Sequence, residues 1–526
     1  MDSPIGSRNP KSYSQENRTF KSKNSLLFLS SATSGLLLTL TFPKFNLYFL
    51  MPVSLLFLMF AVLKSSSKKL SFLLGLTFGL FHFITMLYWI AFVIYEFGNL
   101  SLFSSIGVLL LLCLYLSTYY ALACVISKHF SLFKEPNFFK ALCFSLVFTG
   151  ALFLKSHLFE GFPWESPGYT LSNYPTLLQV ADIFGIQGLN FLFFFTNYFV
   201  FLIAYSIFKK KSIKLSSLVY FVALFLLVFV YGKVRLNEFK VLRTKNEVKV
   251  AIIQPSIPQK VKLAQDFDYM FNEYLKLLKK VNENFSGVII FPETAFPYFY
   301  GQNPELDAEV KTMLSPFKNA VFLLGTFRFV NGKLYNSVIA VKNGKVIDYY
   351  DKEKLVPFGE YLPYPSVLFF LKNILPQEIY FSSGNSKLLI FEVNNKKVLV
   401  LPLICFESAF SSLVRERLVF NPSFVVVFTN DAWFDDTSCP YQHFQMAIVR
   451  AVESRRFVVQ VANTGISGII APSGRVITKL GVNQKGVLIK KVSLLSGTTP
   501  AVTFGSVFGI TGALVFLVLL LPALRK

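Results

Sequence analysis

Residues 397–407 read Lys-Val-Leu-Val-Leu-Pro-Leu-Ile-Cys-Phe-Glu. From Val398 to Ile404 the run is apolar throughout, without the alternation of a strand that has one wet face. It therefore reads as a strand buried on both faces. The run ends in a thiol, Cys405, and a carboxylate, Glu407, where the chain leaves the sheet. Strand-like runs recur at 248–254, 287–291, 320–327, 336–341, 424–429 and 457–461, separated by helix-like stretches at 267–283, 305–314, 408–418 and 440–455. Continuous β-branched runs divided by amphipathic helices predict an α/β domain over about 245–495, with its sheets covered on both faces.

Outward from that domain the composition changes. The 526-residue chain holds 61 Phe and is only 15% charged, against roughly 25% in an average soluble domain; its mean hydropathy is +0.52. So thin a charged skin cannot cover that much oily surface in water, and the sequence reads as a membrane protein. Eight stretches, near 25–43, 46–63, 70–95, 101–127, 141–155, 185–207, 215–232 and 503–524, are apolar enough for a hydrocarbon core about 30 Å thick, and most are long enough, the fifth being short. The first lacks the small-residue cleavage site of a removed signal peptide. Residues 1–24 read as a polar, basic, disordered tail. The expected order is this tail, a seven-span membrane domain (25–232), the α/β domain (245–495) and a final transmembrane helix (503–524).

The net charge of +23 has its cause in the same layout. Nucleic-acid binding is disfavoured: no zinc-knuckle spacing, homeodomain-like pattern or Arg-rich arm occurs. Seventeen Lys and Arg lie instead before span one, in alternate interspan loops and after the last span, whereas the opposite short loops hold only Lys44 and Lys155. Cations mark the cytoplasmic side. Both termini are thus expected to be cytoplasmic, and the α/β insert outside.

Five Cys without a Cys-x-x-Cys pair do not make a disulfide framework, and no metal or cofactor site is expected. Cys113, Cys124 and Cys143 lie in apolar runs as small buried hydrophobes. Three other segments put reactive groups at strand ends: Phe291-Pro-Glu293-Thr294, the run Asp351-Lys352 to Gly359-Glu360, and Ile404-Cys405-Phe406-Glu407. A carboxylate, an amine and a thiol at a sheet's edge can converge on one pocket. Cysteine is the best nucleophile of the three, and a neighbouring cation favours its thiolate. The α/β domain's one histidine is His443, so a carboxylate, Glu293, is the candidate base. A Lys ammonium and the backbone N–H of Phe406 are candidates to stabilise an acyl oxyanion.

These motifs carry a resemblance. Phe-Pro-Glu-Thr-Ala-Phe-Pro (291–297), Tyr-Asp-Lys-Glu-Lys-Leu-Val-Pro-Phe-Gly-Glu-Tyr-Leu-Pro (350–363) and Leu-Ile-Cys-Phe-Glu (403–407) are similar to the Glu, Lys and Cys segments of the nitrilase superfamily. With Thr-Asn-Asp-Ala-Trp-Phe (429–434), Gln-His-Phe-Gln-Met-Ala (442–447), Gly-Phe-Pro-Trp (161–164) and Gly-Leu-Asn (188–190), nearly the whole chain resembles the apolipoprotein N-acyltransferase family, integral-membrane members of that superfamily. The resemblance implies a multi-span α-helical membrane domain of about eight helices plus an α/β nitrilase-like αββα sandwich outside the membrane. It implies Glu293 as base, Lys352 as oxyanion stabiliser and Cys405 as nucleophile, with Glu360 and Glu407 as further required carboxylates. The spacing of eight to Glu360 in the family's segment selects Lys352 over Lys354. The implied activity is transfer of an acyl chain from a membrane phospholipid, through a Cys405 thioester, to the N-terminal amine of a diacylated apolipoprotein in the bacterial inner membrane. No cofactor, metal or nucleic acid is implied. Two positions depart from the pattern: Phe406 stands where some members carry Tyr, and Leu263 near where many place Trp.

Plainer readings stand beside these. Glu293 alone is a water-facing strand end, Lys352 a member of a solvated run, and Cys405 a buried strand residue or a disulfide partner of Cys439. Trp433 is core or pocket lining. His443 reads as structural, and Trp89 and Trp164, at span ends, as interfacial anchors. Residues 361–375 are too apolar for a free loop and too short to span, and are expected to form a lid whose Phe369 and Phe370 contact acyl chains. Two rival functions share the sequence: a membrane-tethered amidase with water as acceptor, and a non-enzymatic receptor or transporter.

Overall fold

The computed structural model describes residues 10–164, 166–241, 246–366 and 380–525. Its N-terminal half is helical: α1 (Pro10–Leu40), α2 (Leu56–Lys64), α3 (Lys68–Met86), α4 (Tyr88–Phe97), α5 (Leu102–His129), α6 (Phe138–Lys155), α7 (Pro175–Leu178), α8 (Ala181–Lys209) and α9 (Leu215–Val241). Among the described residues, six helical segments are long and apolar enough to cross a membrane: α3, α5, α6, α8, Leu215–Glu238 within α9, and Ala501–Leu524. They correspond to the last six of the eight expected spans.

The first two expected spans differ. Most of 25–43 falls in α1, which begins at Pro10, inside the stretch expected to be disordered. The 46–63 stretch splits into a 3-10 turn, Tyr48–Val53, and the nine-residue α2. Pro52 in that turn has no N–H to give a helix. The third, 70–95, breaks at Leu87 between α3 and α4.

The rest of the chain builds two sheets. Its strands are β1 (Glu247–Gln254), β2 (Gly287–Ile290), β3 (Phe296–Phe299), β4 (Ala320–Val330), β5 (Lys333–Lys342), β6 (Lys345–Asp351), β7 (Leu389–Val393), β8 (Lys396–Ile404), β9 (Phe424–Thr429), β10 (Val458–Ala462), β11 (Ser467–Ile470), β12 (Val476–Leu480) and β13 (Gly486–Ser493). Its helices are α10 (Gln259–Leu263), α11 (Phe267–Leu278), α12 (Pro304–Leu314), α13 (Ser411–Leu418) and α14 (Cys439–Ser454); α15 (Ala501–Phe504) and α16 (Val507–Leu524) follow. One sheet runs β13-β1-β2-β4-β5-β6, with β3 beside β4, and the other runs β12-β11-β10-β9-β8-β7. Their central pairs are parallel and their outer pairs antiparallel.

The two-residue period of a strand sorts its side chains between layers. Along β8, Val398, Val400 and Ile404 pack between the sheets against Val250, Ile290 and Leu323. Leu401 and Leu403 face the other way, into a core shared with Val414 and Leu418 of α13 and Met446 and Val449 of α14. That core continues without interruption to Phe144, Phe194 and Tyr198 of the apolar bundle. On the far side, α11 and α12 cover the first sheet through Met270, Tyr274, Val310 and Leu314. The order is helix, sheet, sheet, helix, with the α13–α14 layer lying against the apolar bundle. Within the bundle, α6 and α16 meet backbone to backbone, because a Cβ on Gly150 would stand 2.1 Å from the carbonyl of Gly512. Small residues at such crossings let transmembrane helices approach closely.

Candidate active site

Each of three strands hands its chain to a polar side chain as it leaves the sheet. Three residues beyond β2 stands Glu293; Lys352 directly follows β6, and Cys405 directly follows β8. Glu293 is buried. Its Oε1 accepts a hydrogen bond from Asn336 Nδ2 at 2.8 Å, and its Oε2 accepts one from the Asn430 backbone N–H at 2.8 Å. Lys352, equally buried, places Nζ 2.9 Å from Glu360 Oε1 and 3.7 Å from Glu293 Oε1. Asn336 Nδ2 also donates to Glu360 Oε1 at 3.2 Å, and the Asn336 carbonyl accepts from the Lys352 backbone N–H at 2.8 Å. One ammonium and one amide thus hold two carboxylates in a fixed array.

Electrostatics follow from this count of charges. Burial lowers the proton affinity of Lys352, but Glu360, Glu293 and Cys405 outweigh it and hold the ammonium above the ordinary lysine range. Burial pushes the Cys405 thiol well up, and Glu293, Asp431 and Glu360 add to that, opposed by Lys352. The neighbouring cation acts on the thiol in the expected direction, toward the thiolate, while burial and the three carboxylates work against it.

The turn carrying Cys405 is strained and tied down. Cys405 sits at φ 51°, in the left-handed region that residues with a Cβ seldom occupy. Glu407, fully buried, takes the Ile404 N–H on Oε2 at 2.7 Å. Its Oε1 accepts from the Tyr350 hydroxyl at 2.8 Å and from the Glu353 and Lys354 N–H groups at 2.7 and 3.1 Å. One carboxylate therefore fastens the turn after β8 to the segment after Lys352. Burial raises the Glu407 carboxyl above its usual range, against the pull of Arg417. Beneath the turn His443, buried on α14, sets Nε2 3.2 Å from the Cys405 carbonyl oxygen and 2.7 Å from Ser408 Oγ. The Phe406 ring stacks on Trp164 with centroids 6.4 Å apart.

Residues 34–199 match the family described as the apolipoprotein N-acyltransferase N-terminal domain, and residues 249–498 match carbon-nitrogen hydrolase. A protein from Aquifex aeolicus named apolipoprotein N-acyltransferase is 35% identical over 468 residues, covering 88% of this chain and 97% of its own. Proteins of the same name from Geobacter metallireducens and Wigglesworthia glossinidia brevipalpis are 32% and 31% identical, over 91% and 90% of this chain and 92% and 93% of theirs. The chain belongs to the apolipoprotein N-acyltransferase family.

In this apolipoprotein N-acyltransferase family member the remaining sequence expectations fall as follows. Phe369 and Phe370, and most of the expected lid, lie outside the described residues. Trp433 is half-buried, its ring edge-on to Phe97 at the end of α4, 5.1 Å between centroids. Leu263 is exposed. Cys405 and Cys439 are both free, so no disulfide joins them. Trp89 and Trp164 are not interfacial anchors: both are buried, and both indoles donate to Gln442 Oε1 of α14, at 3.2 and 2.9 Å. They join the apolar bundle to the helix behind the Cys405 turn.

Two neighbours of Glu293 escaped the sequence reading. Asn336 opens the apolar end of β5, and the polar pair Asn336-Ser337 just before Val338-Ile-Ala-Val was the available signal. Lys262 in α10 is buried, donating to the Glu293 carbonyl at 3.2 Å and to Thr294 Oγ1 at 2.8 Å. Its sequence context, Lys-Val-Lys, gave no hint of burial.

Proposed function

We propose that this bacterial membrane acyltransferase moves an acyl chain from a phospholipid to the amine of a lipoprotein through a thioester on Cys405. Support comes chiefly from one observation: the buried Lys352 ammonium, shared by Glu360 and Glu293 at 2.9 and 3.7 Å, stands beside a cysteine at a strand end. Glu293 is the base. The Cys405 proton passes to Glu293 as sulfur bonds to the ester carbonyl carbon. Negative charge then grows on the carbonyl oxygen, where Lys352 and the Phe406 N–H receive it. Collapse breaks the ester C–O bond. Glu293 returns its proton to the departing oxygen, leaving a thioester and a lysophospholipid.

In the second half the N-terminal amine of a diacylglyceryl cysteine attacks the thioester carbonyl. Its proton passes through Glu293 to the departing sulfur, restoring the thiol and releasing an N-acylated lipoprotein. Glu360 keeps Lys352 charged and aimed, and Glu407 holds the nucleophile turn. No step calls for a redox or metal group, because both half-reactions exchange one acyl bond for another. The bundle accounts for the substrates: each has apolar chains that stay in lipid while its reactive carbonyl or amine reaches the boundary, where the domain about 245–495 meets the membrane domain about 25–232.

Intact-mass measurement after incubation with phospholipid tests this reading. A hydroxylamine-labile acyl adduct is expected on the native chain and not on Cys405→Ala, and a diacylated lipopeptide is expected to discharge it. Discharge by water alone would make the enzyme a hydrolase, and an adduct surviving in Cys405→Ala would end the thioester mechanism.

A further inference from the structure

The Cys405–Phe406 peptide carries two jobs on one plane. Its N–H is the proposed oxyanion donor, and its C=O points the other way, since a trans peptide fixes the two dipoles antiparallel. Among the described residues the one cis bond is at Pro43–Lys44, so this peptide is trans. Whatever grips the carbonyl therefore aims the N–H. Cys405 cannot rely on its own backbone preference for this, because its φ of 51° is disfavoured for a residue with a Cβ.

The group that reaches the carbonyl is His443. Its Nε2 lies 3.2 Å from the Cys405 oxygen, and its Nδ1 lies 3.1 Å from Asp431 Oδ1. Asp431 is held in turn by the Thr429 hydroxyl, which donates to the same oxygen at 2.6 Å. All three side chains are buried. A ring clamped at one nitrogen and packed 5.6 Å from the Trp164 ring has one orientation available. An oxygen acceptor thus stands at each end of the imidazole, the Asp431 carboxylate at Nδ1 and the Cys405 carbonyl at Nε2. Ser408 Oγ, 2.7 Å from Nε2, is the competing partner.

We propose that His443 is a positioning residue: through Nε2–H it fixes the Cys405 carbonyl, and by that means the direction of the Phe406 N–H toward the oxyanion. This rests on Cys405 being the nucleophile. His443 touches no reacting atom, so it acts on the rate of thioester formation and not on phospholipid capture.

Two amide substitutions separate the roles of the two ring nitrogens. Glutamine can place its amide N–H near the Nε2 position, and asparagine near the Nδ1 position. Acyl-enzyme formation, followed by intact mass in detergent on folded protein with a phosphatidylethanolamine donor, is expected to stay within about threefold in His443→Gln. In His443→Asn it should fall at least tenfold, because loss of an oxyanion donor costs about 10²–10³ in rate. Phospholipid KM is expected to remain within about twofold in both. Equal rates in the two variants, or a loss confined to KM, would overturn the proposal. Should an amide variant fail to fold, Ser408→Ala decides. With its competitor gone, Nε2–H belongs wholly to the Cys405 carbonyl, and the rate should match or exceed the native one; a tenfold drop would give the control to the hydroxyl instead. If the native chain forms no Cys405 adduct, the thioester reading itself fails and this inference falls with it.

Discussion

Lys262 and Lys352 show how burial sorts two amines beside one carboxylate. Both are buried, but Lys352 has Glu360 at 2.9 Å, while Lys262 Nζ reaches a carbonyl and a hydroxyl. Burial therefore lowers the Lys262 amine to about 7, with Glu293 only partly opposing it. A lysine depressed by folding binds fewer protons in the folded chain than in the unfolded one between about pH 7 and about pH 10. Stability from this group accordingly rises as pH climbs through that window, and the burial penalty is fully present below it. Lys352 has the opposite sign: its raised proton affinity stabilises the fold at every pH below the ordinary lysine range. In detergent, the unfolding midpoint of the native chain should gain more between pH 7 and pH 9 than that of Lys262→Met. Parallel curves would mean that the Lys262 amine is no harder to charge than an ordinary one.

At the scale of elements, legibility followed burial. β1, β2, β4, β8 and β9 lie inside the sheets, and their largely apolar runs announced them. β6, β7, β12 and β13 lie at or next to sheet ends and mix polar with apolar residues, so period and composition gave them no contrast with loops. The break at Leu87 has neither Gly nor Pro to mark it in the sequence. Its causes are distant: Trp89 bonds Gln442, and the Tyr88 hydroxyl accepts the Ser438 N–H at 3.0 Å. The site divided in the same way. Glu293, Lys352 and Cys405 were visible because strand ends and local motifs flag them, whereas Asn336, Lys262 and His443 matter only through partners remote in sequence. Glu407 is the joint between elements and the place to test them. Its two oxygens accept four donors from Tyr350, Glu353, Lys354 and Ile404. In Glu407→Gln an amide N–H must face at least one of those donors, and a buried donor left unpaired costs about 1–3 kcal/mol. A destabilisation of about 2–3 kcal/mol is expected, seen as a lower unfolding midpoint, together with slower acylation at unchanged phospholipid KM. A variant as stable and as fast as the native chain would remove Glu407 from this role.

On the scale of the whole molecule, the cationic loops gather at one end of the bundle and the sheets at the other. Lys211 after α8 pairs with Glu135 after α5 at 3.5 Å. Lys128 donates to the Ser65 carbonyl between α2 and α3, and Lys68 reaches the carbonyls of Ala523 and Arg525 at 2.9 and 2.6 Å. At the opposite end Lys44 pairs with Asp436 at 3.0 Å, and Lys260 of α10 pairs with Glu96 at the end of α4 at 2.7 Å. Lysine-rich loops are retained on the cytoplasmic side. On the proposed reading the sheets, and with them Cys405, are expected on the outer side, where a translocated lipoprotein would present its amine. Single cysteines placed at Lys211 and at Lys279, in a chain whose other cysteines are serine, read this directly. An impermeant maleimide added to intact spheroplasts should modify position 279 and reach 211 only after the membrane is opened. The reverse pattern would put the acyl-transfer site inside the cell, facing precursors that have not yet crossed, and would leave the loop lysines on the side from which their charge should exclude them.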